Sequence, residues 1–382
     1  MAVNIAHIAQ RLQQTRLALS YTTDDVGTIA GLDVHRLERI EAGCETPTGD
    51  EILILASLYD CDFRTLIDEN LPSPAQQTDI LFRRYGDSFT PDDRRAIQEF
   101  LYLCQIEKWL EQQLLITHEA VDFKYSGPIF KDHGRQVAEK LREHLGYAEN
   151  AVARDIYIDF RKLGIHIFRR KMVNNDISGL YIKDPVAGHC VLINYNEDIY
   201  RQRFSVAHEV AHAIFDSSED ALLTLQSSSA KYDKRDLKEI RANSFASHYL
   251  MPLSMLRGLP DMNDSQAIYW AQQFRVSTAA LAKALEDNGF INRNKADQIR
   301  TVRVPRSEKI DPEVPESLAE DSKKRRLELL ERGLTSHYVN LCFKAYEKGL
   351  ISSGRLAEVM KVEYSELAQV SMLFGQNFSH DF

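Results

Sequence analysis

Hydrophobic residues recur at helical spacing along most of the chain. In residues 5–68 the apolar positions lie three or four apart in several short runs, and Gly31, Gly43 and Pro47 separate these runs. A longer amphipathic segment has Thr90 in the N-cap position and Pro91 at the first helical position, and it continues to about residue 115. The pattern predicts a compact bundle of short helices followed by one long helix.

The spacing changes between residues 164 and 197. The segments "GIHIFRRKM", "SGLYIKD" and "HCVLINYN" are short β-rich runs with turn residues between them, which predicts a small sheet. Amphipathic helices are predicted before the sheet, at about 135–145 and 151–163, and after it, at about 198–215 and 236–250. We therefore expect an α+β fold that is mostly helical, with an N-terminal five-helix bundle, a central domain with a small sheet, and a helical C-terminal region.

Two polar, proline-containing segments, "NLPSPAQQ" and "TVRVPRSEKIDPEVPES", are typical of linkers and boundaries. They divide the chain into four predicted regions. These are an N-terminal domain at 1–70, a linker and long helix at 71–130, a central domain at 131–300, and a C-terminal helical region at 301–382. Residues 317–374 of the last region are expected to be helical, and the pattern does not indicate their role.

The composition is that of an ordinary globular protein, with 44% apolar and 27% charged residues. No apolar run is long enough to span a membrane, and the first residues lack the pattern of a signal peptide. The five cysteines are scattered and form no CxxC pair, which is typical of reduced thiols. These features predict a cytoplasmic protein with no membrane partner. A homodimer through the long helix is one open alternative for the oligomeric state.

The segment "FSVAHEVAHAIFD" carries the clearest chemistry. Residues four apart share one face of a helix, so His208 and His212 can present two imidazoles to one metal ion. Glu209 lies beside them, where a general base acting on water is needed. Imidazole and carboxylate ligands with an open position suit Zn²⁺. The alternative, two ordinary helical histidines, is the weaker one because this motif seldom arises by chance.

A catalytic zinc site needs a third protein ligand, and the next predicted helix, in "KEIRANSFASHYLMP", offers Glu239. Glu219 and Asp220 are rival ligands from a predicted loop. Asn243, one turn after Glu239, could hydrogen-bond the second nitrogen of an imidazole ligand. The spacing does not choose among three candidates for stabilising an oxyanion, which are His248, Tyr249 and Tyr232.

The pair "RFSVAHEVAHAIFD" and "EIRANSFASHYLMP" resembles the ImmA/IrrE family of zinc metallopeptidases, over about residues 135–290. The resemblance implies a gluzincin-like site in which His208, His212 and Glu239 bind zinc and Glu209 is the base. Members of that family cleave helix-turn-helix repressors and so release genes of mobile elements or stress responses. The implied substrate is therefore a protein of that kind, or an antitoxin-like protein.

Residues 6–68 are similar to the Cro/repressor-type (XRE) helix-turn-helix family, on landmarks that include Arg16, Gly31, Glu41 and Gly43. Asp33 would cap the helix that such folds place in the major groove. The resemblance implies that residues 20–42 contact double-stranded DNA. The candidate contacts lie on that helix and at the start of the preceding one, and they are Thr22, Thr23, Val34, His35, Arg36, Glu38 and Arg39.

The charge of this segment favours a second interpretation. Residues 1–72 contain five arginines, no lysine and twelve acidic residues, and the whole chain has a net charge of −9. Proteins gain most of their affinity for duplex DNA from cations that face phosphates. The bundle could therefore contact a protein instead of DNA.

Three functions follow from these patterns. The leading one is a zinc-dependent endopeptidase that regulates transcription by cleaving a repressor or antitoxin-like partner. The second is a DNA-binding transcription factor whose peptidase-like domain only senses a ligand, and the third is an antitoxin-like interaction protein. The presence of both Glu209 and Glu239 favours the first, because a sensor has no need of a general base.

Overall fold

A computed structural model describes residues 4–119, 121–218, 221–225 and 234–378. Within these ranges the chain is mostly helical around one small mixed sheet, which confirms the α+β fold class. None of the helices in the described ranges is both long enough and apolar enough to cross a bilayer.

The N-terminal segment forms the expected bundle of five helices: α1 (Ile5–Ala18), α2 (Thr23–Ala30), α3 (Val34–Glu41), α4 (Gly49–Leu58) and α5 (Arg64–Ile67). Its core consists of residues such as Leu12, Val26 and Leu55, which are fully buried. Arg16 on α1 donates to both carboxylate oxygens of Glu41 on α3, at 2.8 and 2.7 Å. This buried ion pair joins the first helix to the third.

The long predicted helix is α7 (Pro91–Gln113), and it follows α6 (Gln76–Tyr85) and a 3₁₀ turn at Gly86–Ser88. Thr90 caps α7 and exchanges hydrogen bonds with Asp93, which fixes the start of the helix. The five-helix bundle packs against α7, since Gln98 Nε2 donates to the carbonyl of Asp60 at 3.2 Å. The linker region therefore connects the bundle to the rest of the chain through direct contacts.

The sheet has four strands, β1 (His166–Arg170), β2 (Ile177–Asp184), β3 (Gly188–Asn194) and β4 (Ala221–Leu225), in the order β1-β3-β2-β4. β1 and β3 are parallel, and the other two pairs are antiparallel. In the register, Tyr181 on β2 lies between Val191 on β3 and Leu222 on β4. The sequence predicts no strand at 221–225, so β4 is an addition to the expected sheet.

Helices cover both faces of the sheet. Those that precede or follow it directly are α8 (Phe130–His144), α9 (Ile156–Arg161), α10 (Ile199–Phe215) and α11 (Lys234–Leu250). The later ones are α12 (Leu253–Arg257), α13 (Asp264–Phe274), α14 (Thr278–Asp287), α15 (Arg293–Thr301), α16 (Glu320–Glu331), α17 (Ser336–Glu347), α18 (Ser353–Met360) and α19 (Leu367–Leu373), with 3₁₀ turns at Arg306–Glu308 and Tyr364–Glu366.

Alternate residues of each strand point to opposite faces, and this divides the buried side chains into two cores. Phe168, Leu180 and Leu192 belong to a core shared with α6, α7 and the C-terminal helices α16 to α19. Tyr181 and Val191 belong to the other core, shared with α8 to α11 and α13 to α15. The sheet is thus buried on both sides.

Gly134 of α8 allows the backbones of α8 and α11 to approach closely where the two helices cross. A Cβ atom at Gly134 would lie 2.3 Å from the carbonyl oxygen of Arg241 and 2.7 Å from the amide nitrogen of Phe245. Ser244 on α11 also donates to the carbonyl of Lys131 on α8, at 2.6 Å. These contacts fix the position of α11, which carries Glu239.

Candidate metal centre

Helix α10 positions both histidines of the HExxH segment. Asp198 caps it by accepting from the amide of Tyr200, and Val206 and Val210 are fully buried on the side that faces the core. His208 and His212 lie one turn apart on the adjacent face of α10, and both are at most 4% exposed. The helix therefore presents two buried imidazoles at a fixed separation.

Glu239 on α11 completes a group of three potential ligands. His208 Nε2 lies 3.2 Å from His212 Nε2, and Glu239 lies 3.1 Å from His208 Nε2 and 3.5 Å from His212 Nε2. Zinc binds nitrogen and oxygen ligands at about 2.0–2.2 Å in a tetrahedron, whose edges are then roughly 3.3–3.6 Å. The three measured separations are close to that edge length, so these side chains fit a zinc ion.

The second nitrogen of each imidazole is also hydrogen-bonded. His208 Nδ1 lies 3.1 Å from Asn243 Oδ1, as the sequence predicts. His212 Nδ1 lies 3.0 Å from Asp216 Oδ2, and Arg241 donates to the other oxygen of Asp216 at 2.7 Å. Such partners orient a ligand and keep its free nitrogen directed at the ion.

Asp216 is a functional candidate that the sequence reasoning missed. It lies four residues after His212, at the end of α10, and that i,i+4 spacing was the available signal. Burial lowers the pKa of His212, but its hydrogen bonds to Asp216 and Glu239 outweigh burial and raise the pKa to about 9. The same local field that favours a protonated imidazole favours a divalent cation.

Glu209 is fully buried, and its carboxylate oxygens make no hydrogen bond of normal geometry among the described residues, although the Thr224 hydroxyl lies near enough to favour the charged carboxylate. Burial raises its pKa above the usual range, while the nearby His208 and His212 act in the opposite direction. A buried carboxylate without a partner is costly, and in native proteins it usually has a ligand, a water or a catalytic role. This orphaned group next to the three ligands is what a general base requires.

The space for Glu209 depends on Gly179 of β2. A Cβ atom there would lie 3.0 Å from Glu209 Cγ and 3.0 Å from the carbonyl oxygen of Leu192. The glycine thus lets the carboxylate lie flat against the sheet. The sequence does not identify Gly179 as part of the site, because the segment "SGLYIKD" alone carries no signal that this glycine faces Glu209.

The three oxyanion candidates have different positions. Tyr249 is a correction to the prediction, because its hydroxyl donates to Asp159 at 2.9 Å inside the core and is not free for a substrate. His248 donates through Nδ1–H to the carbonyl of Ser244, 2.8 Å away, and its Nε2 has no partner in the described part of the chain. Tyr232 lies outside the described residues, as do the rival ligands Glu219 and Asp220.

A cleft of about 750 Å³ has Asn243, the hydrogen-bond partner of His208, and His248 on its wall, while the three potential ligands themselves do not line it. Its other walls come from α8, α10, α11 and α14, and they combine apolar and polar side chains, among them Phe204, Ile240, Ser277 and Lys283. The cleft is large enough to hold several residues of a polypeptide, because ligand clefts of drug-sized molecules measure about 300–1,000 Å³.

The candidate DNA contacts lie on α2 and α3. His35, Glu38 and Arg39 are exposed, as is Thr22, whose side chain caps α2, and Thr23 is half-buried. Val34 is a correction: it packs over Gly27 of α2, where an added Cβ would lie 2.6 Å from Val34 Cγ2. Its side chain therefore contacts the preceding helix and does not point outward.

Both arginines of α3 are paired with acids of the same bundle. Arg36 donates to Glu45 at 2.7 Å and to Glu51 at 2.5 and 3.0 Å. The hydrogen bond from Arg36 lowers the pKa of Glu51 to about 2. Arg39 also contacts Glu45, at 2.5 Å. Little uncompensated positive charge is left on this surface.

Comparison with known families gives one match. Residues 160–286 match the Peptidase_M78 family model, described as an IrrE N-terminal-like domain, and the match spans β1 to β4 and all the residues of the candidate metal centre. This part of the chain is therefore similar to a peptidase-family domain, which agrees with the resemblance noted over residues 135–290. No curated protein matches the chain at a significant level. The N-terminal bundle lies outside the matched range.

Proposed function

We propose that this protein is a zinc-dependent endopeptidase that hydrolyses a peptide bond in a partner protein and thereby regulates transcription. The peptidase-family domain at 160–286 supports a function of the metallopeptidase type. The observation that carries the finer proposal is the meeting of His208, His212 and Glu239 within 3.5 Å of one another, beside the unpartnered carboxylate of Glu209. The proposed substrate class is a helix-turn-helix repressor or an antitoxin-like protein.

In the proposed mechanism His208, His212 and Glu239 hold the zinc ion. When bound, zinc supplies a Lewis acid that polarises the scissile carbonyl and lowers the pKa of a coordinated water. Glu209 takes a proton from the attacking water and later delivers it to the leaving amine. Its raised pKa supports both steps, because a carboxylate with a pKa nearer neutrality can accept and return a proton.

The surrounding residues keep the reacting groups in place. Asn243 and Asp216 hold the two imidazoles, and Gly179 leaves room for the Glu209 carboxylate against the sheet. His248 is the remaining described candidate for stabilising the oxyanion, since it lies on the wall of the same cleft with a free Nε2. The substrate would bind in that cleft as an extended segment.

Replacing Glu209 with glutamine tests the mechanism most directly. Glu209→Gln should retain zinc, because the three ligands are unchanged, and should lose cleavage by at least about 10²-fold, because the proton acceptor is removed. The measurement is zinc content by mass spectrometry together with cleavage of a purified helix-turn-helix repressor, followed on gels. Glu143→Gln, an exposed carboxylate on α8, is the matched control and should cleave at the normal rate.

The result also separates the proposal from the sensor alternative. Zinc binding with no cleavage by the unaltered protein would favour a ligand sensor. Full proteolysis by Glu209→Gln would exclude that residue as the base. Cleavage without any bound metal would contradict the whole mechanism.

DNA binding is a second candidate function for the N-terminal bundle. The arrangement that favours it is α2, a turn through Gly31 with φ of 67°, and α3 starting after its N-cap Asp33. The pairing of Arg36 and Arg39 with Glu45 and Glu51 favours protein contact instead. We therefore propose that the bundle recruits the protein substrate, with DNA as the competing ligand.

A mobility shift assay with the protein's own promoter region distinguishes the two ligands. If the bundle binds a duplex through α3, Arg36→Gln with Arg39→Gln should weaken binding about tenfold or more, because phosphate contacts provide most of the affinity. Arg64→Gln, which replaces an exposed arginine on α5, is the control. If the unaltered protein shifts no DNA at low salt but binds the repressor, the recruiting role is supported.

A further inference from the structure

A second group of metal-binding side chains lies on the opposite face of the sheet from the candidate metal centre. Glu107 and Glu111 are one turn apart on α7, and His166 is the first residue of β1. One donor atom from each of the three lies within 4.8 Å of the others. Their exposures are 1%, 3% and 1%, so all three side chains are removed from solvent.

Hydrogen bonding accounts for only part of this cluster. His166 Nδ1 lies 2.8 Å from Glu107 Oε1, but Glu107 Oε2, Glu111 Oε2 and His166 Nε2 have no hydrogen-bond partner among the described residues. A buried polar atom without a partner is costly unless something binds it. Each of the three side chains in this buried cluster thus keeps one unpartnered polar atom, which points to a bound ligand.

Several cationic or ionisable groups surround the two carboxylates. Arg161, whose Nη2 donates to the carbonyl of Ile167 at 2.7 Å, and His337 both act electrostatically on Glu107. Lys108 Nζ lies 3.9 Å from Glu111 Oε2, which is beyond hydrogen-bond distance. Two carboxylates and an imidazole with donor atoms within 4.8 Å of one another suit a cation of charge two.

His118, in the segment after α7, orients one of the acids. Its Nε2 lies 2.8 Å from Glu111 Oε1, and its ring packs over Gly164, where an added Cβ would be 3.3 Å from His118 Cβ. The contact is a close ion pair and not an aligned hydrogen bond, and charged partners of this kind orient metal-binding carboxylates. His118 is also partly exposed, at 17% of its side chain, so the cluster has a route to solvent.

We propose that Glu107, Glu111 and His166 form a second metal site, which binds a divalent transition-metal ion of the zinc or manganese class. Imidazole together with carboxylate oxygens is the donor set that such ions prefer, and His118 is a positioning residue for Glu111. A bound ion joins α7, which leads from the five-helix bundle, to β1 at the edge of the sheet. This site does not depend on peptidase activity, so it stands or falls separately from the proposed function.

The test uses the full chain with the other group disabled. In a His208→Gln/His212→Gln variant, dialysed against Zn²⁺ or Mn²⁺ and then against buffer, elemental analysis should find a single ion per chain. Adding Glu107→Gln and Glu111→Gln should remove it. Adding Glu99→Gln, which removes a carboxylate on the same helix that pairs with Arg170, should leave it bound.

Two results would overturn the proposal. One is the absence of both Zn²⁺ and Mn²⁺ from the His208→Gln/His212→Gln variant, which would leave a water as the occupant of the cluster. The other is an ion that remains after Glu107 and Glu111 are replaced. If the variant with all four substitutions does not fold, the His208→Gln/His212→Gln variant alone tests the proposal. Co²⁺ added to that variant should give ligand-field bands in the visible spectrum, and the further substitution Glu111→Gln should change these bands.

Discussion

At the scale of single residues, the Nδ1 atom of each imidazole in the candidate metal centre is hydrogen-bonded to a polar side chain, and the two partners come from different helices or helix ends. Asn243 belongs to α11, whereas Asp216 ends the helix that carries the histidines. The two partners are not equivalent, because Asp216 is charged and buried against Arg241. Asp216 therefore increases the electron density on His212 in a way that an amide cannot.

Asp216→Asn should weaken zinc binding about 10- to 100-fold, because the charge behind His212 is lost while the shape is kept. The measurement is competition with a chromophoric chelator on the full chain. Asp297→Asn is a matched control, since Asp297 is also paired with an arginine, Arg300, but touches no ligand. An unchanged zinc affinity in Asp216→Asn would mean that the aspartate only stabilises the end of α10.

At the scale of elements, the position of Glu239 depends on the close crossing of α8 and α11. Gly134→Ala would place a methyl group against the backbone of α11, which cannot move aside as a side chain can. We expect a loss of about 1–3 kcal/mol or more in the free energy of unfolding, measured by urea denaturation. Zinc affinity should fall as well, because α11 carries the third ligand.

Gly354→Ala provides the comparison for that experiment. It is also a helical glycine, in α18, but nothing lies closer than 4.0 Å to the added Cβ. It should be neutral or slightly stabilising, since alanine favours helix over glycine. Equal effects of the two substitutions would show that the crossing at Gly134 is not the cause.

The sequence predicts individual elements better than it predicts their partners. Helical spacing and the cap at Thr90 are local, and they correctly gave α7, with its end at Gln113 near the expected 115. β4 was missed because five residues after an acidic segment carry too little pattern to distinguish a strand from a loop. The same limit explains the errors at Val34 and Tyr249, where a distant residue decides which way the side chain points.

The parts of the candidate site that lie close together in the sequence could be predicted, and the parts that come from separate elements were harder to predict. His208, Glu209 and His212 occupy one helix, so their spacing alone indicates a shared face. Glu239 required a choice between helix and loop; it lies 3.1 Å from His208 Nε2, whereas the rivals Glu219 and Asp220 lie outside the described residues. Gly179 shows its role only when strand β2 lies against Glu209, whereas Asp216 could have been found from its spacing of four residues after His212.

At the scale of the whole molecule, the matched peptidase segment is not a self-sufficient unit. One face of its sheet is covered by α6 and α7 from before the segment and by α16 to α19 from after it. Phe168, Leu180 and Leu192 on that face are at most 1% exposed in the full chain. Without those helices the apolar face would be open to water.

A fragment of residues 130–305 should therefore expose this face and bind the dye ANS strongly, with loss of a cooperative thermal transition. A chain that starts at residue 71 keeps both covers of the sheet and should melt cooperatively with little dye binding. Comparing the dye fluorescence and the calorimetric melting curves of the two fragments provides the measurement. A well-folded 130–305 fragment would contradict this assignment of the cores.

Strand β2 links the two faces of the sheet next to Glu209. A Cβ atom added at Gly179 would lie 3.0 Å from Glu209 Cγ on one face, and the next residue, Leu180, packs among the C-terminal helices on the other face. Two consecutive residues of β2 thus connect the candidate metal centre on one face of the sheet with the C-terminal helices on the other face. A substitution that alters the packing of α17 and α18 around Leu180 therefore acts on the same strand that lies against Glu209.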